Sequence, residues 1–199
     1  MGNPNLEQRG RREMIRIITL ILIVLAVVLT GCSSPHEVLV TDFDEVEILN
    51  GFHVDISVGE KYSVVLKVAE DILDDVEAVK NGDKLIIRLK PGHSSGGASL
   101  EAEVAMPALT GLTLQNGSHV TVTGSGDDVT FNISGGSHAN LGNFTIENAD
   151  LTVTGGSHVT VHVSGRLDVE VSGGSHVLYR GDPQIGDIDI SGGSTFSKY

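Results

Sequence analysis

One phrase returns at a nearly fixed step through the second half of the chain. Ser134-Gly135-Gly136-Ser137-His138 is followed by Gly155-Gly156-Ser157-His158, by Gly173-Gly174-Ser175-His176 and by Gly192-Gly193-Ser194-Thr195. Asn116-Gly117-Ser118-His119 precedes it. The closing residues stand at 119, 138, 158, 176 and 195, steps of 19, 20, 18 and 19. A unit of this length cannot bury its apolar face alone; stacked on copies of itself it builds a continuous core.

Between the phrases, apolar and polar residues alternate, the period of a strand with one buried face. Val120 and Val122 alternate with polar residues in one run and Val129, Phe131 and Ile133 in the next, and the pattern is continued by Leu151, Val153, Val159, Val161, Leu167, Val169 and Val171, then by Ile188 and Ile190. These side chains are expected inside. Thr121, Thr160 and their like are expected outside. Each coil holds two β runs and two turns. The first turn falls at Gly124-Ser125-Gly126-Asp127, Leu141-Gly142-Asn143, Ser164-Gly165-Arg166 and Gly181-Asp182-Pro183. The second is the glycine phrase itself. Gly117, Gly135, Gly136, Gly155, Gly156, Gly173, Gly174, Gly192 and Gly193 suit corners that need positive φ.

Residues 38–110 read as short strands at Val38–Val40, Val46–Ile48, Phe52–Val58, Tyr62–Val68, Lys84–Leu89 and Leu100–Pro107. A short helical stretch covers 69–76, and Asn81-Gly82-Asp83 is a hairpin-type turn.

The N-terminal segment has a different character. A basic start, Met14-Ile15-Arg16 with Arg9 to Glu13 as an upstream extension, leads into an apolar run, Ile17 through Leu29, and then Leu29-Thr30-Gly31-Cys32. This is the layout of a secretory signal, and Leu-Thr-Gly-Cys resembles the lipobox of bacterial-type lipoproteins. That resemblance implies cleavage before Cys32 and lipidation of its sulfur. The alternative is an uncleaved signal anchor, since the run is nearly long enough to span a bilayer. Met14 is an alternative start to Met1. Cys32 is the single cysteine, so no internal disulfide is available. The domains are therefore 1–31, signal peptide or anchor; 32–37, tether; and 38–199, one domain made of a strand-rich portion (38–110) and repeat coils (111–199).

Residues 40–199 resemble the head GIN domain family of putative auto-transporter adhesins, exported domains of unknown function. The resemblance rests on Phe52-His53-Val54-Asp55-Ile56, Lys84-Leu85-Ile86-Ile87, Val104-Ala105-Met106-Pro107-Ala108-Leu109-Thr110-Gly111-Leu112 and the Ser-Gly-Gly-Ser phrases. It implies an all-β, right-handed parallel β-helix of about 19-residue coils, with the strand-rich portion packed on it. It implies no catalytic activity. The histidines depart from the Asp or Asn that relatives often carry there.

Stacked in register, His119, His138, His158 and His176 would line one outer edge about 5 Å apart. Imidazoles so placed could share a transition metal such as zinc, copper or nickel, or take another ligand. The plainer reading is a polar ladder left by duplicated repeats. Gly124–Asp128 resembles a calcium β-roll turn, but Arg166 occupies the matching place two coils later. Thr121/Thr123 and Thr152/Thr154 fall on different runs, which argues against an ice-binding array. Asp168, Glu170, Asp187 and Asp189 are the acids a glycan-cleaving enzyme would need; a solvated acidic face is the simpler account. Ser and His are neighbours in each phrase, so they point to opposite faces and cannot form a catalytic pair.

Residues 1–31 carry four arginines and two glutamates, so the rest of the chain holds −15 of formal charge within a total of −13. Such a surface repels nucleic acid. The expectation is a lipoprotein of the cell envelope or surface, non-catalytic, without a cofactor, that adheres or binds a ligand or partner. It would be a monomer or a weak end-to-end dimer. The alternatives are an enzyme acting on cell-envelope polysaccharide and a metal-binding surface protein.

Overall fold

The structure is a computed structural model that describes residues 35–199. The expected signal segment, the lipidation site Cys32 and the start of the tether lie outside the described residues. Among the described residues no helix is long and apolar enough to cross a membrane.

The fold is all-β, with mixed parallel and antiparallel strands. The first portion contains β1 (His36–Val38), β2 (Glu45–Ile48), β3 (His53–Val58) and β4 (Ser63–Val68). One helical turn, α1 (Glu70–Leu73), precedes β5 (Val76–Asn81), β6 (Lys84–Leu89) and β7 (Leu100–Met106). The second holds β8 (Gly111–Leu114), β9 (His119–Ile133), β10 (His138–Val153), β11 (His158–Val163) and β12 (Arg166–Val171). It ends with β13 (His176–Arg180), β14 (Gln184–Ile190) and β15 (Thr195–Lys198).

These strands form two walls. The first runs β1-β4-β7-β3-β9-β10-β11-β13-β15. The second runs β5-β6-β2-β8-β9-β10-β12-β14. The long strands β9 and β10 pass through both. Pairing is parallel except where β4 meets β1 and β7, and where β5 meets β6. The apolar parity of the sequence faces the space between the walls. Phe43, Phe52, Phe131 and Phe144 fill it and are almost wholly buried.

A corner at positive φ carries the chain from the second wall back to the first. Gly135 and Gly136 have φ 67° and 74°, and Gly155, Gly173 and Gly192 repeat the first value within a few degrees. In the earlier coils Asn116-Gly117 and Asn50-Gly51 take the same conformation. Asn tolerates it better than other side chains because it is short and bonds locally. The first glycine of each pair is needed for space as well. A Cβ on Gly173 would stand 2.9 Å from the backbone nitrogen of Gly155, whereas one on Gly174 would meet nothing.

The serine after each corner turns inward and is buried at 118, 137, 157 and 175. Ser157 Oγ donates to the Thr154 carbonyl at 2.8 Å and accepts the Ser137 N–H at 3.2 Å. Ser175 does the same for Ser172 and Ser157. The hydroxyls therefore form a ladder joining coil to coil, satisfying groups that would otherwise be buried and unpaired.

Several expectations need correction. His36–Val38, partly assigned to the tether, is already a strand paired with β4, and Leu39 is exposed instead of continuing it. The helical stretch is a single turn, and Val76 begins the strand that completes the hairpin at Asn81-Gly82-Asp83. Residues 124–126 do not interrupt the ladder; Thr123–Gly126 pair with Asn143–Ile146. Ile188 and Ile190 keep the inward register of Val169 and Val171 but are 46% and 43% exposed. Parity assigns a side, while burial needs a coil on each flank, and among the described residues none stacks beyond β14.

Candidate functional site

The outer face of the first wall carries a column of five imidazoles. Backbone bonds set its register: His138 N–H donates to the Ser118 carbonyl at 2.9 Å, His158 to Ser137 at 3.0 Å and His176 to Ser157 at 2.9 Å. His119, His138, His158 and His176 are consecutive partners in the parallel ladders. His53 extends the column on the other side, since β3 pairs with β9 at His53–His119.

Ring centroids are 4.4 Å apart for His53–His119, 4.7 Å for His119–His138 and 4.8 Å for His138–His158. Those pairs lie within 5° of parallel. His158 and His176 are 4.9 Å apart and tilted by 35°. His176 Nδ1 sits 2.7 Å from Thr195 Oγ1, which closes the row.

The step of about 19 marks four of these imidazoles but not His53. Its coil is out of sequence order: β2 lies between β6 and β8, and β3 between β7 and β9. The period of 19 therefore does not reach it. A signal did exist, because Asn50-Gly51-Phe52-His53 matches Asn116-Gly117-Ser118-His119 at three of four positions.

A second row runs beside the column, two residues further along each strand. It reads Glu103, Asp55, Thr121, Asn140, Thr160 and Leu178. Between and over the rows lies a groove of about 870 Å³. Its β7 end is acidic, with Glu101, Glu103 and Asp55; Lys67 is the one cation there and pairs with Glu103. Its β13 end carries Arg180.

The surroundings of two of these imidazoles disfavour their charged form. Burial, and then the neighbouring rings of His53 and His138, hold the His119 imidazole below its ordinary pKa. Burial, followed by His138 and His176, does the same to His158. A proton on either ring would lose hydration and face like charges. Among the described residues, the buried side-chain polar atoms without a hydrogen-bond partner are His119 Nδ1 and Arg180 Nε. Both residues line the groove.

Face-to-face stacking sets the in-plane lone pairs of the rings side by side, not converging on one point as metal ligation requires. Among the described residues no group of three or more His, Cys, Asp or Glu is gathered to hold a metal ion. Asp128, in the turn that resembles a calcium loop, accepts a hydrogen bond from Asn148 at 2.8 Å.

The acids singled out for glycan cleavage lie on the second wall. Asp168 takes two bonds of 2.7 Å from Arg166 and a third of 2.7 Å from the Asp187 N–H. The Arg166 guanidinium, then the Asp187 amide, hold its carboxyl below the usual carboxylate range. Glu170 and Asp189 are register partners one row further on. The turn glycines stand at the corners described above and contribute no functional group.

The sequence profile of the family described as "Putative auto-transporter adhesin, head GIN domain" matches residues 42–124 and 112–183. No curated protein matches the chain. Among solved structures, a putative adhesin from Bacteroides fragilis is 12% identical with a TM-score of 0.48, covering 83% of this chain and 96% of its own. A putative adhesin from Parabacteroides merdae is 12% identical with a TM-score of 0.43, covering 83% and 95%. A putative lipid binding protein from Parabacteroides distasonis is 13% identical with a TM-score of 0.40, covering 83% and 96%.

Proposed function

Since the chain belongs to the head GIN domain family, we propose that it is a non-catalytic binding protein of the cell envelope whose ligand face is the histidine-lined groove. In this reading the stacked coils are a right-handed parallel β-helix. Residues 1–31 are the export signal, Cys32 carries the lipid, and 38–199 stand outside the cytoplasm as one rigid domain. Adhesion to a surface ligand is the role such a display serves.

One observation carries the assignment of the face. The imidazoles of His53, His119, His138, His158 and His176, with Thr121, Asn140, Thr160 and Arg180 beside them, line one groove of about 870 Å³ on the outer face of the first wall, a row of polar side chains open to a ligand. Arg166 and the Asp187 amide favour the ionised form of Asp168, which does not suit it to the proton-donating role of a glycosidase acid.

Two experiments test this reading. Cells displaying the full chain should adhere to a ligand-bearing surface, and Thr160→Trp, which fills the groove floor, should abolish that adhesion without lowering display. Adhesion unaffected by the tryptophan would remove the groove from consideration. Metabolic palmitate labelling should be lost in Cys32→Ser; label retained in that variant would reject the lipid anchor.

A further inference from the structure

Arg180 is placed as an anion anchor. Its guanidinium carbon lies 4.2 Å from the centroid of the Tyr199 ring, a cation–π contact. The Tyr199 N–H donates to the Tyr179 carbonyl at 2.9 Å, which keeps its backbone beside β13. The guanidinium reaches back across two coils: Nη1 stands 3.6 Å from where a Cβ on Gly142 would be. There it adjoins Asn140 and Thr160. Asn140 Oδ1 accepts the Gly142 N–H at 3.3 Å, which leaves its amide hydrogens for another partner.

Among the described residues no carboxylate forms an ion pair with Arg180. The basic side chains that form ion pairs among the described residues are Lys67, Lys84, Arg88, His93, Arg166 and Lys198. Lys61, Lys80 and Lys90 also form no ion pair, but of the Lys and Arg side chains lining the groove Arg180 is the one without a carboxylate among the described residues. A planar guanidinium is the preferred partner of a carboxylate, which it meets through two parallel bonds.

The rest of the groove narrows the ligand. Its far end is acidic, so a polymer with an anion on every unit would be repelled along most of its length. The middle offers the hydroxyls of Thr121 and Thr160 and the edges of the imidazoles, groups suited to hydroxyl-rich partners. Leu178 is 37% exposed beside Arg180 and presents apolar surface for a C–H face. The groove crosses the strands on the face of the sheet, where backbone groups are already paired, so an extended peptide cannot add as a strand there. The column is about 19 Å long, four steps between neighbouring strands, which accommodates a short oligosaccharide.

We propose, resting on the groove being the ligand face, that it binds a glycan ending in a carboxylate-bearing sugar, with Arg180 gripping the carboxylate and the Thr/Asn/His rows holding neutral sugars toward Asp55. The anchor is specific to this chain's β13 and does not follow from the repeat, since Arg180 occupies the ladder position of His162.

The test uses the full chain in detergent, titrated with sialyllactose and lactose, with a glucuronate-ended oligosaccharide and its glucose-ended counterpart, and with an acidic peptide. The acidic sugars should bind about tenfold or more tighter than their neutral partners, as expected for a charge-assisted bidentate pair. Arg180→Gln should erase that ratio while leaving the thermal melt unchanged, and Arg180→Lys should leave it intermediate. Failure of both acidic sugars to bind, or an acidic-to-neutral ratio that Arg180→Gln does not alter, overturns the proposal. Binding of the acidic peptide in place of the sugars overturns the ligand class. Thr160→Trp separates the two levels of inference. If it abolishes sugar binding while Arg180→Gln leaves the ratio intact, only the anchor is wrong. If sugars bind unchanged to Thr160→Trp, the groove is not the ligand face.

Discussion

The two glycines of a corner look alike in sequence and should differ in cost. Take Gly173→Ala against Gly174→Ala. Both positions have positive φ, 66° and 76°, and an L side chain there costs about 1–2 kcal/mol. At Gly174 that is the whole penalty, because a Cβ meets nothing within 4 Å. At Gly173 the Cβ would stand 2.9 Å from Gly155 N and 3.4 Å from its Cα, both backbone atoms of the coil below. They cannot rotate away, so the coils must separate, and overpacking of this kind costs about 1–3 kcal/mol more. Gly173→Ala should thus lose about 2–5 kcal/mol and Gly174→Ala about 1–2 kcal/mol. With a urea slope of about 2 kcal/mol/M, the midpoints fall by about 1–2.5 M and 0.5–1 M. Equilibrium urea unfolding followed by circular dichroism measures both. A midpoint for Gly174→Ala as low as that for Gly173→Ala would refute the claim that coil spacing, and not φ alone, selects the first glycine. Gly174→Asn should be milder still, since Asn tolerates positive φ better than other side chains.

Other outcomes follow from the same structure. The pKa values of His119 and His158 are lowered below 6.5 in the fold, so the unfolded chain takes up their protons first. Their contribution is complete above about pH 6.5 and is lost as pH falls toward the folded values; the melting temperature should drop between pH 7 and pH 5, and His119→Asn should flatten that drop. Asp168 and Asp182, with lowered pKa values, add a separate loss only further into acid, below the ordinary carboxylate range. Ser157→Ala should cost about 1–3 kcal/mol in urea unfolding, because it strands the buried Ser137 N–H. Leu167→Ala, in the closed core, should cost about 2–5 kcal/mol, while Ile188→Ala at the open flank should cost about 1 kcal/mol or less.

The alternation from Val120 to Val171 places each side chain correctly because a strand's two faces are a local property. The glycine phrases mark the corners because positive φ is also local. The four-membered part of the histidine column follows from these two facts and a step of about 19.

What tertiary structure decided is everything that depends on which coil lies next to which. β2 and β3 slot between strands from much later in the chain, and that order alone brings His53 onto His119 at 4.4 Å. The same packing leaves Ile188 half in solvent although it is the ladder partner of Val169, and it lays Arg180 across Gly142 beside Asn140 and Thr160 with no acid among the described residues to meet it. Local periodicity fixes the direction of a side chain; its neighbours come from apolar faces finding each other over long separations, and a binding groove is made of neighbours.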